Sequence, residues 1–185
     1  QRPWHLGATL DTPIQKHWLD AFVRLFELCR PKPDEIIVIL MESQSRPVNL
    51  MLAELALRQL AVSFDTLRVE TKPANTRPII RSTGASNALN GETAIVARLS
   101  AADLVIDLTV EGLMHSVQTP GILAAGTRIM TISNEHPDIL ARLAPDPDLK
   151  PIVRDAVARC RLAAQMQVTS AAGSELSIAM SNTVT

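Results

Sequence analysis

The sequence predicts an α/β fold, in which a doubly wound, mostly parallel sheet carries helices on both faces. Two observations favour this fold class. The short runs EIIVILM (35–41) and ADLVIDL (102–108) are almost wholly apolar, which is typical of parallel strands that are buried on both faces. Segments with apolar residues at three- and four-residue spacing alternate with such runs, as expected of helices that cross over between parallel neighbours. Together these patterns predict strand–helix–strand units within one sheet.

The first helix is predicted to run from Thr12 to about Arg30. Thr12 offers a hydroxyl cap, and Pro13 stands where its missing N–H costs nothing. Its apolar residues form one stripe at helical spacing: Ile14, Trp18, Phe22, Leu25, Phe26 and Cys29. We therefore expect this helix to pack against the sheet.

The remaining elements follow in alternation. After the strand at 35–41, further strands are predicted at 63–69, 102–108 and 127–132. Helices are predicted at 46–61, at 92–99, at 117–125, from Asn134 as N-cap to about Leu143, and at 149–165. Residues 71–91, which are rich in Pro, Gly, Ser, Thr and Asn, are expected to form a long surface connection. The predicted arrangement is of the Rossmann or flavodoxin type.

Composition excludes several classes of partner. Apolar residues make up 46% of the chain, charged residues 20%, and the net charge is -1, so the chain has a globular balance and no basic surface for a phosphate backbone. No apolar run approaches the roughly 20 residues that cross a bilayer, and the opening residues lack the pattern of a secretion signal. We expect a cytoplasmic protein that binds neither nucleic acid nor membrane. Cys29 and Cys160 are interpreted as buried free thiols without a chemical role.

Ligands of open parallel sheets bind beyond the carboxyl ends of the strands, where adjacent loops diverge. The segments 42–45, 109–116 and 133–136 occupy such positions in the predicted sheet. None of them contains GxGxxG or GxxxxGK[ST], so a glycine-rich nucleotide cradle is not predicted.

His115 is the sharpest candidate for chemistry. It follows a buried strand, between Met114 and Ser116, and imidazole is the side chain whose charge changes near neutral pH. It could serve as a general base or as a hydrogen-bond donor to a phenolate-type oxygen, or it could be a loop histidine bonded to backbone. The four histidines form no HxH or HExxH pattern, so the chain predicts no complete metal site. The element GxSxG is missing, which disfavours a serine hydrolase built on Ser116.

Three stretches carry a family resemblance: AADLVIDLTVEGLMHS, then ILAAGTRIMTISNEHPDILARLAPD, then MQVTSAAGSELSIAM. They resemble the N-terminal domain of the 2,5-dihydroxypyridine 5,6-dioxygenase family, whose wider relatives are the M29 leucyl aminopeptidases, also called aminopeptidase T. The similarity is collinear from about Leu25 to Met180 and is weaker before residue 100.

The resemblance implies a domain organisation. Residues 1–165 correspond to the α/β N-terminal domain, and the alternating runs at 166–185 correspond to a hairpin that begins a C-terminal β-rich domain missing from this chain. In that family the C-terminal domain carries the metal ligands, two histidines and an aspartate, which suit Fe(II) with open positions for substrate and dioxygen. The implied cofactor is thus Fe(II) with ligands outside this chain, or Zn, Co or Mn if the protein is an aminopeptidase. The chain by itself is expected to be inactive.

The resemblance also assigns a role to the loop. Met114 and His115 match a leucine–histidine pair that reaches into the active-site pocket, so His115 is expected to be catalytic and Met114 and His115 to bind a small aromatic substrate. The implied function is ring-opening oxygenation of a hydroxylated heteroaromatic, with homo-oligomeric assembly. A domain of an aminopeptidase and a non-catalytic module for ligand binding or oligomerisation are the alternatives.

Overall fold

The computed structural model describes residues 13–73 and 84–180 of the chain. The helices are α1 (Lys16–Cys29), α2 (Pro47–Gln59), α3 (Thr93–Ser100), α4 (Thr119–Ala124), α5 (Pro137–Arg142) and α6 (Leu149–Leu162). The strands are β1 (Ile37–Glu42), β2 (Asp65–Val69), β3 (Leu104–Asp107), β4 (Arg128–Thr131), β5 (Gln165–Thr169) and β6 (Glu175–Ala179). In these ranges no helix has both the length and the apolar character needed to span a membrane.

Strands β1 to β4 form one parallel sheet in the order β2-β1-β3-β4. The crossover through α2 places β2 on one side of β1, and the crossover through α3 places β3 on the other side. The winding direction therefore reverses between β1 and β3, which is the switch point of a doubly wound sheet. The predicted α/β fold is confirmed.

Strand β1 lies in the middle of two apolar layers. Ile37, Ile39 and Met41 pack with α1 and α2, while Val38 and Leu40 point to the opposite face. The first layer includes the side chains Trp18, Phe22, Phe26, Leu52 and Leu57, and the second includes Leu99, Leu113 and Ile122. This two-sided burial explains why EIIVILM carries no polar alternation.

Two predicted helix starts differ from the structure. The predicted cap Thr12 lies outside the described residues, and α1 begins after Gln15, whose side chain makes no capping bond. Asn134 was expected to cap the next helix, but α5 has His136 as its N-cap, and the His136 ring accepts from the backbone N–H of Asp138 at 3.2 Å. Asn134 is used elsewhere, because its side-chain oxygen accepts from the backbone N–H of Arg46 at 2.7 Å.

The chain consists of two compact units that meet in sequence between Ala144 and Pro145. The second unit contains α6 and an antiparallel hairpin, in which β5 pairs with β6 from Gln165↔Ala179 to Thr169↔Glu175. No residue of α6 is buried, so the expectation that Cys160 is a buried thiol is wrong. The predicted hairpin forms within the part that the structure describes, and residues 181–185 lie outside it.

Candidate functional site

The candidate site lies at the carboxyl edge of the parallel sheet, where β1 and β3 separate at the switch point. Three segments leave the sheet there: the turn after Glu42, the loop at 108–118 and the turn at 132–136. All three were expected from sequence as ligand-facing segments. Their buried polar residues are Glu42, Ser45, Asp107, Thr109, Ser116 and Ser133.

Asp107 anchors the loop after β3. Its carboxylate is fully buried, and Oδ1 accepts from the backbone N–H and the hydroxyl of Thr109 at 2.9 and 2.6 Å. Its other oxygen, Oδ2, accepts from the N–H of Leu113 at 2.7 Å. Burial raises the pKa of Asp107, and the hydrogen bonds from Thr109, Leu113 and Thr131 oppose that rise. The carboxylate therefore serves as the acceptor that turns the loop, and its burial leaves it unsuited to meeting a substrate.

Glu42 and Ser45 bridge the crevice from the β1 side. The carboxylate of Glu42 accepts from the N–H of Val110, and the hydroxyl of Ser45 donates to the carbonyl of Leu108 at 2.6 Å. The same hydroxyl oxygen accepts from the N–H of Glu42 at 2.8 Å. The space between β1 and β3 is thus occupied by the chain's own polar groups, and access for a ligand moves toward the outer part of the loop.

The outer part of the loop pairs with the segment at 84–86. The N–H of Gly84 donates to the carbonyl of Glu111 at 2.7 Å, and the N–H of Ser86 donates to the carbonyl of Gly112 at 2.9 Å. The N–H of His115 donates back to the carbonyl of Gly84. Backbone hydrogen bonds to a second segment therefore hold the loop at three places.

Gly112 is required for both conformation and space. Its φ is +81°, in the left-handed region that favours glycine, and a Cβ there would overlap Oγ of Ser133. The loop after β3 and the turn after β4 are thus in direct contact at this glycine.

Met114 and His115 point their side chains away from the core. Met114 is 63% exposed and lines an open cavity of about 260 Å³ together with Leu113, Thr119, Leu123, Ile129 and Thr131. His115 is exposed and is not among the lining residues of that cavity. Within the described ranges, no hydrogen bond engages either ring nitrogen of His115. The apolar side chain of Met114 and the imidazole of His115 therefore lie next to each other in sequence on a loop that hydrogen bonds hold in place, and both are exposed to solvent.

The serine triad that sequence disfavoured is not assembled. The hydroxyl of Ser116 donates to Oε1 of Gln118 at 2.8 Å, and Asp107 is engaged with loop amides. In the described residues, no group of three or more His, Cys, Asp or Glu side chains is placed to hold a metal ion.

Sequence reasoning missed a second polar cluster, where α1 meets α5. Asp138 accepts from Nε1 of Trp18 at 2.5 Å and lies 3.1 Å from Nε2 of His17. His136 packs edge-on against Trp18, with ring centroids 5.5 Å apart. The hydrogen bonds from Trp18 and His17 lower the pKa of Asp138, and the nearby His136 adds to this. The partners are far apart in sequence, so no local pattern could have indicated the cluster, and its role is to join two helices.

The fold and the loop define the class: a doubly wound α/β domain that presents an exposed imidazole, on a loop held by hydrogen bonds, at the carboxyl edge of its sheet. Comparison with known proteins then identifies the family. The chain belongs to the NicX family, described as 2,5-dihydroxypyridine 5,6-dioxygenase, whose sequence model matches residues 17–185. The resemblance to the 2,5-dihydroxypyridine 5,6-dioxygenase family seen in the sequence is confirmed.

Two relatives give the extent of the similarity. The chain is 41% identical over 88 residues to 2,5-dihydroxypyridine 5,6-dioxygenase from Pseudomonas putida KT2440, covering 48% of this chain and 24% of that protein. It is also similar to the solved structure of 2,5-dihydroxypyridine dioxygenase from Pseudomonas putida KT2440, with a TM-score of 0.72 and 28% identity. That match covers 90% of this chain and 48% of the solved chain. The chain thus spans less than half the length of the relatives it matches.

Proposed function

We propose that this chain is the N-terminal α/β domain of an Fe(II)-dependent ring-opening dioxygenase that acts on a small hydroxylated heteroaromatic, with 2,5-dihydroxypyridine as the first candidate. Membership of the family and the similarity to a solved dioxygenase over most of this chain support the proposal. The observation that carries it is the placement of His115, whose exposed ring stands on a loop that backbone hydrogen bonds hold at three places.

His115 is proposed to act on a ring hydroxyl of the substrate. A neutral imidazole carries one acceptor and one donor nitrogen, so it can accept the proton of a hydroxyl or donate a hydrogen bond to the oxygen once that proton has left. Either role requires the hydroxyl oxygen to approach a ring nitrogen to about 2.6–3.2 Å. The exposure of the ring permits that approach, and the fixed loop limits the directions from which it occurs.

Met114 is proposed to contact the ring face of the same substrate. Its side chain is exposed to water without a ligand, so covering it with an aromatic ring removes apolar surface from solvent. The thioether is also polarisable and favours contact with aromatic rings.

The iron is proposed to lie on residues outside this chain. The described residues contain no cluster of His, Cys, Asp or Glu that fits a metal ion, so no step of the reaction is assigned to a metal bound here. A site of two histidines and one carboxylate would supply Fe(II) with open positions for substrate and dioxygen.

The hairpin is proposed to belong to a C-terminal β-rich domain. We assign residues 1–165 to the α/β domain, with α6 as the helix that leads onward, and residues 166–185 to the start of the second domain. Apolar side chains of α6 and the hairpin are exposed, namely Leu149, Ile152, Val153, Val157, Leu162, Met166, Val168 and Leu176. Coverage by further polypeptide of the same enzyme, and by a second subunit in a homo-oligomer, would remove this surface from water.

The experiment is an assay of the full-length gene product, loaded with Fe(II), against 2,5-dihydroxypyridine and against a leucyl anilide. Oxygen-dependent loss of the pyridine supports the proposal, whereas hydrolysis of the anilide indicates an aminopeptidase of the M29 type. Activity on neither substrate indicates a module that only binds a ligand or oligomerises. Within the active protein, His115→Ala should lower turnover at least tenfold with an unchanged melting temperature. Unchanged turnover would refute the role of His115.

A further inference from the structure

We infer that Gly84 is a positioning residue for His115, and that it sets the orientation of the imidazole because it has no side chain. The functional consequence rests on the proposed role of His115, while the contact itself does not. No role for Gly84 is indicated by its local sequence, since it lies in the long connection before α3 and is distant from β3 along the chain.

Both backbone polar groups of Gly84 are hydrogen-bonded to the loop. Its N–H donates to the carbonyl of Glu111 at 2.7 Å, and its carbonyl accepts from the N–H of His115. The position of the His115 backbone is therefore tied to that of Gly84, and a shift of one moves the other.

The backbone of Gly84 adopts a conformation that other residues avoid. Its φ is +74°, where an L side chain is strained. The hydrogen bonds to Glu111 and His115 select this conformation.

The space beside Gly84 is filled by the His115 ring. A Cβ on Gly84 would lie 3.1 Å from Cδ2 and 3.8 Å from Nε2 of His115, and 3.3 Å from Cβ of Met114. The distances to Cδ2 of His115 and to Cβ of Met114 are both below ordinary van der Waals contact. Cβ of Met114 can move only with its backbone, whereas the imidazole can move away by rotation about its own side-chain bonds, so the larger displacement is expected at the ring.

The contact with Gly84 matters because little else restrains the ring. In the part of the chain that the structure describes, no hydrogen bond holds either ring nitrogen of His115. A methyl group at position 84 therefore changes where the nitrogens point without removing the histidine.

The test compares Gly84→Ala with Gly91→Ala in this chain. Gly91 has nearly the same φ, +79°, but a Cβ there would meet nothing within 4 Å. Both variants carry the same backbone strain, and only the first contacts His115. Heteronuclear NMR spectra of the histidine rings, with His115 assigned through His115→Ala, should show the His115 resonances displaced in Gly84→Ala and unmoved in Gly91→Ala. Equal displacement in both variants, or none in either, overturns the inference.

Folding and turnover complete the test. If Gly84→Ala is strongly destabilised while Gly91→Ala is not, the double variant Gly84→Ala/His115→Ala should recover part of that loss because the contact with the ring is gone, and a double variant no more stable than Gly84→Ala overturns the inference. In the full-length gene product, Gly84→Ala should lower kcat about tenfold more than Gly91→Ala, since a small misplacement of a reacting group is costly. If the ring resonances move as expected but His115→Ala keeps wild-type turnover, the proposed function fails while the contact with Gly84 stands.

Discussion

Oδ2 of the buried Asp107 accepts a hydrogen bond from the backbone N–H of Leu113 at 2.7 Å, and this bond closes the loop that carries Met114 and His115. The same carboxylate binds Thr109 through Oδ1, so one side chain fixes both the start and the middle of the loop.

Asp107→Asn should destabilise the domain by about 1–3 kcal/mol. An amide has only one oxygen, so its NH₂ group must face either the donors of Thr109 or the N–H of Leu113, and one of these hydrogen bonds is lost. Chemical unfolding of the variant measures this loss. Asp103→Asn is the matched control, since Asp103 accepts from the N–H of Ile36 at 2.8 Å but is exposed at the other end of β3. Equal losses in the two variants would contradict the anchoring role of Asp107.

The contribution of Asp107 to stability should depend on pH in a defined direction. Burial raises its pKa above the ordinary value of 3.8, so the folded state binds the proton more tightly than the unfolded chain. The associated stability is fully present below pH 3.8 and is lost as pH rises through the folded pKa. The unfolding free energy of the wild type, measured relative to Asp107→Asn, should therefore fall across that range and then level off. A difference that rises with pH would refute the assignment.

Asp138 should behave in the opposite way. Hydrogen bonds from Trp18 and His17 lower its pKa, so its contribution is present above pH 3.8 and is lost as pH falls through the folded pKa. Asp138→Asn should lower the melting temperature at neutral pH and match the wild type in strong acid. Asp20→Asn, which removes a carboxylate that pairs with Lys16 on the same helix, should have a smaller effect because it joins no second element.

Gly112→Ala should cost at least the roughly 1–2 kcal/mol of a left-handed L residue, because its Cβ also overlaps Oγ of Ser133. Gly126→Ala isolates the backbone term, since its φ is +100° and a Cβ there meets nothing within 4 Å. Adding Ser133→Ala to Gly112→Ala should recover part of the excess loss. The measurement is the thermal unfolding of the wild type, the two single glycine variants and the double variant. If Gly112→Ala loses no more stability than Gly126→Ala, the steric contact with Ser133 is excluded.

Met114→Ala should leave folding unchanged and weaken catalysis in the full-length gene product. The side chain is 63% exposed, so its removal opens no cavity in the core. Loss of the proposed contact with an aromatic substrate should lower kcat/KM about tenfold, through KM more than kcat. Met114→Leu keeps the bulk and should retain most of the activity. If both variants act like the wild type, Met114 does not contact the substrate.

The sheet could be predicted from sequence because its signals are local. Residues 35–41 and 102–108 are apolar without alternation, and both became central strands with two buried faces. The rule that ligands bind beyond the carboxyl ends of parallel strands then indicated the loop with His115, whereas the pairing of β1 with β3, and with it the switch point, was seen only in the structure.

The polar framework of the site could not be predicted in the same way, because its partners are distant along the chain. The sequence around Glu42 gives no sign of a special role, because its partner is distant along the chain: the carboxylate accepts a hydrogen bond from the N–H of Val110. Asn134 has the side chain of a helix cap, yet the nearby backbone N–H of Arg46 competes successfully for its oxygen. Cys160 lies on an amphipathic helix, which predicted burial, but α6 is not covered in this structure.

The hydrogen bonds around the loop at 109–116 also have a thermodynamic consequence for binding of the proposed ligand. Asp107, Glu42 and Gly84 hold its backbone before any small molecule arrives, so association need not order that backbone and avoids roughly 1–2 kcal/mol for each residue otherwise immobilised. Calorimetric titration should then give a heat-capacity change no larger than the value expected from the apolar area covered on Met114 and on the ligand itself.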